Sequence, residues 1–164
     1  MKNPLIVGLT AGAAISTWSL MTMLLPVSYR TWDIGRSVLF VAFAVALVRL
    51  GASRSRLSAT STFGAVAVAC LVAAGLTLVS YAVSTGFFAP WIVQLPEYLR
   101  DYTYHGYTSP QLYLSTNYTA LLGLQLFSWG ITVIGLVLIT GTTGLYLGRN
   151  GLLADRCSPS RCLP

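Results

Sequence analysis

The sequence predicts an all-α integral membrane protein, with four transmembrane helices and a short amphipathic helix in the membrane interface between the third and the fourth. Three observations carry that prediction. Hydrophobic residues make up 55% of the 164 residues and charged residues 9%, with a mean hydropathy of +0.70. A soluble domain carries about 25% charged residues, so a chain this poor in charge cannot clothe itself in a solvated surface. Four apolar stretches approach or exceed the ~20 residues that a helix needs to cross a bilayer. The charges between them are sorted by position rather than scattered.

The first stretch, 4–26, follows Lys2 and is bounded by Pro4 and Pro26. It is longer than the apolar segment of a secretion signal and no A-x-A site follows it, so it is expected to stay on the protein. The second, 34–50, is marginal. Only twelve residues separate Arg36 from Arg49, roughly 20 Å of helix. Both arginines must stretch toward the headgroups for the segment to match a hydrocarbon core of ~30 Å. The run between them, VLFVAFAVALV, is unbroken. The third stretch, 62–89, stops at Pro90. The fourth, 119–147, completes a transmembrane domain over 1–148 and leads into a tail, 149–164.

If all four stretches cross, the amino terminus, the 49–61 connection and the tail share one side. That side holds Lys2, Arg49, Arg54, Arg56, Arg149, Arg156 and Arg161, seven cations, with Asp155. The other side holds three, Arg30, Arg36 and Arg100, with Asp33, Glu97 and Asp101. Lys and Arg accumulate on the cytoplasmic side of membrane proteins, which puts both termini inside and the 90–118 loop outside. The cations lie in short runs between apolar stretches, so nucleic acid is not an expected partner. The expected partners are the lipid bilayer and other integral membrane proteins.

The helix faces lack the usual marks of transport. No Asp, Glu, Lys or His falls within the four stretches away from their ends, and such residues are what proton relays and ion paths are built from. Without a helical histidine, imidazole ligation of haem or chlorophyll inside the membrane is excluded. No cofactor and no metal is expected. Cys70 reads as a small packing residue. Cys157 and Cys162, a C-x4-C in the tail, have too few companions for a metal site. Small residues recur at helical spacing: Gly8, Gly12 and Ser16; Ala65, Ala69, Ala73 and Thr77; Gly144 and Gly148. Such stripes let backbones approach closely in lipid. They either pack the four helices on one another or present a face to another protein, so Gly8, Gly12, Gly144 and Gly148 are candidate partner contacts. Ser and Thr in the helices, among them Thr10, Ser16, Thr77, Thr132 and Thr140, can bond back to their own helix and need no ligand.

The outer loop is the most distinctive segment. PEYLRDYTYHGYTSP, 96–110, holds the only histidine, two of the four acids and four tyrosines. Pro96 suits a helix start and Gly106 a helix exit. Between them Leu95, Tyr98, Leu99 and Tyr102 share one face, as expected of a helix lying in the interface plane. Glu97, Asp101 and His105 are too few for a metal site and have no nucleophile beside them. Tyr, Trp and Arg are what binding hot spots are made of, so Trp91, Tyr98, Tyr102, Tyr104, His105 and Tyr107 are candidate partner contacts.

MKNPLIVGLTAGAAIS at the start, TFGAVAVACLVAAGLTLVSYAVSTGFFAP followed by EYLRDY, and WGITVIGLVLITGTTGLYLGRN at the end resemble a family of small four-helix bacterial inner-membrane proteins known as a domain of unknown function. The resemblance implies fold, topology and a bacterial inner-membrane location. It implies no activity and transfers no functional residue, and the tyrosine-rich loop departs from the family's more charged one. The leading expectation is a non-enzymatic accessory subunit of a larger membrane complex. The alternative is a protein that binds a lipid or a quinone- or pigment-like small molecule. A small membrane enzyme or transporter comes third.

Overall fold

The structure, a computed structural model, describes residues 3–92 and 102–150. The described residues are helical, with no strand, and four helices are long and apolar enough to cross a membrane. They are α1 (Pro4–Leu24), α2 (Tyr29–Arg54), α3 (Ala59–Phe87) and α4 (Pro110–Arg149), with a 3-10 turn at Ala89–Trp91.

Each helix starts at a polar cap. The Asn3 side chain accepts from the Leu5 N–H, and Pro4 fills the first helical position, where a missing N–H costs nothing. Ser28, Ser58 and Ser109 cap α2, α3 and α4 through the N–H groups of Thr31, Ser61 and Leu112. The Ser28 cap accounts for a difference from the sequence prediction. α2 begins at Tyr29 and has 26 residues, about 39 Å, so the marginal 34–50 stretch belongs to a helix of ample length. α4 also outruns its apolar stretch. Its 40 residues span about 60 Å, and Pro110 to Tyr118, expected in the outer loop, are helical. Tyr118 Oη donates to Ala82 O and Gln111 Nε2 to Ile92 O, which ties this extension to the end of α3.

The helices run alternately up and down. One end of the bundle, the terminal end, holds Pro4, the α2–α3 turn and Arg149. The other, the distal end, holds the α1–α2 turn and the α3–α4 connection. α1 packs on α3 and α2, and α4 packs on α2 and α3. Close contact at the terminal end rests on the small residues. A methyl group at Gly8 would fall 2.6 Å from Ala69 O, and one at Gly12 3.1 Å from the Ala73 Cα. One at Gly144 would fall 2.8 Å from Val48 O and 3.0 Å from the Gly51 Cα, and Gly148 lies against Ala52 and Ser55. The glycine stripe of α1 thus mates with the alanine stripe of α3, and that of α4 with α2. Beside these seams Val7, Phe43, Leu47, Leu50, Val66, Ala69, Cys70 and Ala73 form a buried core. The outward faces are largely apolar, with Val41, Leu71, Val79, Phe127, Ile134 and Leu138 exposed.

Candidate functional site: a cavity at the distal end

The distal half of the bundle is hollow. All four helices line a cavity of about 360 Å³, within the usual range for small-molecule sites. α3 contributes Thr77, Ser80, Tyr81 and Ser84, and α4 contributes Gln125, Ser128, Trp129 and Thr132. Each set has spacing i, i+3, i+4, i+7, which puts it on one helical face. α1 brings Ser16, Trp18 and Ser19, and α2 brings Trp32, Arg36 and Phe40.

The aromatic side chains are held in place from α1 and α2. Trp18 Nε1 donates to Trp32 O at 3.2 Å, which pins α1 to the start of α2. The Trp18 ring lies directly on Gly35, where any Cβ would collide with it. The Arg36 guanidinium carbon stands 5.2 Å from the Trp32 ring centroid and 5.8 Å from that of Phe40, within cation–π range of both. Phe40 in turn stacks on Trp129, with centroids 5.8 Å apart and planes at 29°. Below them Ile15, Ala74 and Trp129 form a buried apolar floor with Leu39, Leu78 and Val133.

Most hydroxyls in the helices bond to their own backbone, as expected. Thr77 donates to Ala73 O, Ser84 to Ser80 O, Thr132 to Ser128 O and Thr140 to Leu136 O. Ser16 departs from that expectation. It is 9% exposed, and its Oγ is buried with no hydrogen-bond partner. A buried polar group without a partner costs ~1–3 kcal/mol. Among the described lining residues Arg36 is the only charged side chain.

The candidate contacts named from the sequence lie elsewhere. Gly8, Gly12, Gly144 and Gly148 are buried in the helix seams, so this packing leaves them no face for another chain. Tyr98 lies outside the described residues, as do Glu97, Asp101, Cys157 and Cys162. Tyr102 and Tyr107 pack against a second core of Ile92, Tyr113, Leu114 and Leu121. Tyr107 meets Tyr113 edge-on at 5.1 Å, and His105 stacks on Tyr113 at 5.6 Å. Both tyrosines therefore help build the loop rather than project from it. Tyr104, 81% exposed, and Trp91, 64% exposed, do project. Gly106, at φ +78°, closes a turn in which the Tyr107 N–H bonds Tyr102 O and the Gly106 N–H bonds Thr103 O. That pair of bonds is the Schellman arrangement that ends a helix. The helix expected before it falls largely within residues 93–101, outside those described. Among the described residues no three of His, Cys, Asp and Glu come together.

Sequence reasoning missed the cavity residues, although two signals pointed to them. The polar and aromatic residues of the third and fourth stretches repeat with the same i, i+3, i+4, i+7 spacing. Gln125 is an amide inside an apolar run, and three of the four tryptophans fall at one level of the bundle. Comparison with protein-family models, with curated proteins and with solved structures finds no match for the chain.

Proposed function

We propose that this protein crosses a bacterial inner membrane four times, with both termini in the cytoplasm, and binds a small amphiphilic molecule in its distal cavity. The apolar outward faces of all four helices support insertion, because lipid is the medium that covers such faces without cost. Arg49, Arg54 and Arg56 at the terminal end, against Arg30 and Arg36 offset by Asp33 at the distal end, support the orientation. Labelling of Cys157 or Cys162 by an impermeant thiol reagent in intact cells would overturn it. The turn at Gly106 supports an interfacial helix over 96–104. A spin-label scan there should show helical periodicity, and uniform water exposure would remove the helix.

One observation carries the ligand reading: all four helices build a cavity of about 360 Å³ whose lining joins three tryptophans to the hydroxyls of Ser19 and Ser80. The hydroxyls would meet the ligand's polar groups, and the aromatic rings would pack its flat or apolar parts. The test compares wild type with Ser16→Phe, which fills the cavity. Protein purified in mild detergent should carry a small molecule in fixed ratio to protein, and Ser16→Phe should lose it while keeping its helical content. An identical lipid profile in both would sink the reading.

The accessory-subunit reading keeps a narrower basis, the exposed rings of Tyr104 and Trp91 at the distal end. Under that reading Tyr104→Ala with Trp91→Ala releases a co-purifying membrane protein and leaves the fold unchanged. Retention of every partner by the double variant would remove the loop as a docking surface.

A further inference from the structure

We infer that the ligand is an anionic amphiphile, which enters sideways from the membrane through a cleft between α2 and α4 and leaves its acidic head against Arg36. The inference rests on the ligand reading above and adds the chemistry and the route. A second void of about 600 Å³ opens on the flank of the bundle. It is lined by Tyr29, Trp32, Asp33, Arg36, Ser37 and Phe40 of α2, with Thr132 of α4 on the facing side. Trp32, Arg36, Phe40 and Thr132 line both voids, so these four side chains are what separates the flank cleft from the central cavity. Arg36 stands at the junction.

The charge at that junction is uncompensated from the inside. Among the described residues no carboxylate lines the central cavity. Asp33, on the cleft side, lies one turn nearer the start of α2 and forms no salt bridge with Arg36. The guanidinium of this exposed arginine instead lies near the Trp32 and Phe40 rings and makes no hydrogen bond to the described residues. A guanidinium in this state suits the oxygens of a phosphate or carboxylate. Other hydroxyls of the lining, Ser19 and Ser80 among them, suit the rest of a polar head. A central volume of about 360 Å³ holds a head but not the long tail of a membrane lipid. The tail would leave past the Trp32 and Phe40 rings of the cleft, toward the exposed apolar side chains of α2 and α4. A water-soluble anion would need no such flank opening.

The experiment uses the full chain carrying Trp91→Phe, so that the three remaining tryptophans all line the cavity. In phosphatidylcholine vesicles at alkaline pH, tryptophan quenching is followed as tail-brominated phosphatidic acid, fatty acid or fatty alcohol is added. At least one acid should quench saturably at a lipid fraction about tenfold or more below that of the alcohol, the scale of a charge-assisted hydrogen bond. Which acid does so separates a phosphate head from a carboxylate. Arg36→Gln should erase that preference and Arg36→Lys, which keeps the charge, should retain it. Asp33→Asn should sharpen it. Equal quenching by acids and alcohol, or a loss in Arg36→Lys equal to that in Arg36→Gln, would overturn the anionic assignment. If saturable quenching still disappears in Ser16→Phe in that case, the cavity remains a ligand site of other chemistry. Absence of saturable quenching by all three lipids, with Ser16→Phe no different, would sink the route and the ligand reading together.

Discussion

The two halves of this bundle use the same four helices for opposite ends. At the terminal end Gly8, Gly12, Gly144 and Gly148 bring backbones into contact, and Leu47, Leu50, Val66 and Cys70 are wholly buried beside them. At the distal end the equivalent positions carry Ser, Thr, Trp and Tyr, and the helices enclose space. In lipid no gain comes from hiding apolar surface between helices, so closeness of approach decides how tightly they hold. Small residues permit that approach. Indole and phenol rings prop helices apart and bring polar tips that must be satisfied. A tightly seamed half can therefore support a hollow one, since the seams alone set the helix directions.

Three substitutions test that contrast, from the largest expected effect to the smallest. Gly144→Val forces a branched side chain against Val48 O and the Gly51 Cα. It should cost about 3 kcal/mol, the upper range for overpacking, measured by unfolding in mixed micelles. A cost near zero would show that the α2–α4 seam is not tight. Leu47→Ala removes a fully buried side chain. Because lipid also solvates leucine, the packing loss dominates and the expected cost is about 2 kcal/mol. Ser16→Ala at the other end should act in the opposite direction. It removes a buried hydroxyl that has no partner, so delipidated protein should gain about 1 kcal/mol. Protein with its ligand bound should instead lose stability. A loss in both states would mean that the hydroxyl is already bonded within the bundle.

Much of the fold was legible in the residues. Apolar run length marked four helices, the caps at Asn3, Ser28, Ser58 and Ser109 agree with the preference of helix starts for such residues, and Gly106 was readable as an exit. The boundaries were less so. Apolarity ends where lipid ends, whereas backbone hydrogen bonding continues, so α2 and α4 run past their apolar stretches into Tyr29 and Pro110. The loop was misread in part. Tyr107 looked like an anchor for a partner, but its ring closes on Tyr113, because α4 reaches far enough to meet the loop.

What the sequence alone determined is the number of long apolar helices, the sorting of cations and the presence of small-residue stripes. These are local or additive properties, readable from one segment at a time. Which stripe meets which helix, and which face turns inward, only the tertiary structure decided. In water a helix announces its inner face by being apolar there. In a chain whose outward faces are as apolar as its core, that signal is nearly lost, and Gly130, with open space around it, looks the same in sequence as Gly144, which has none. Ser16 likewise reads as one more small residue of a stripe. Only the convergence of α1 through α4 places Ser16 in the lining of a cavity, with Arg36 between that cavity and the flank cleft.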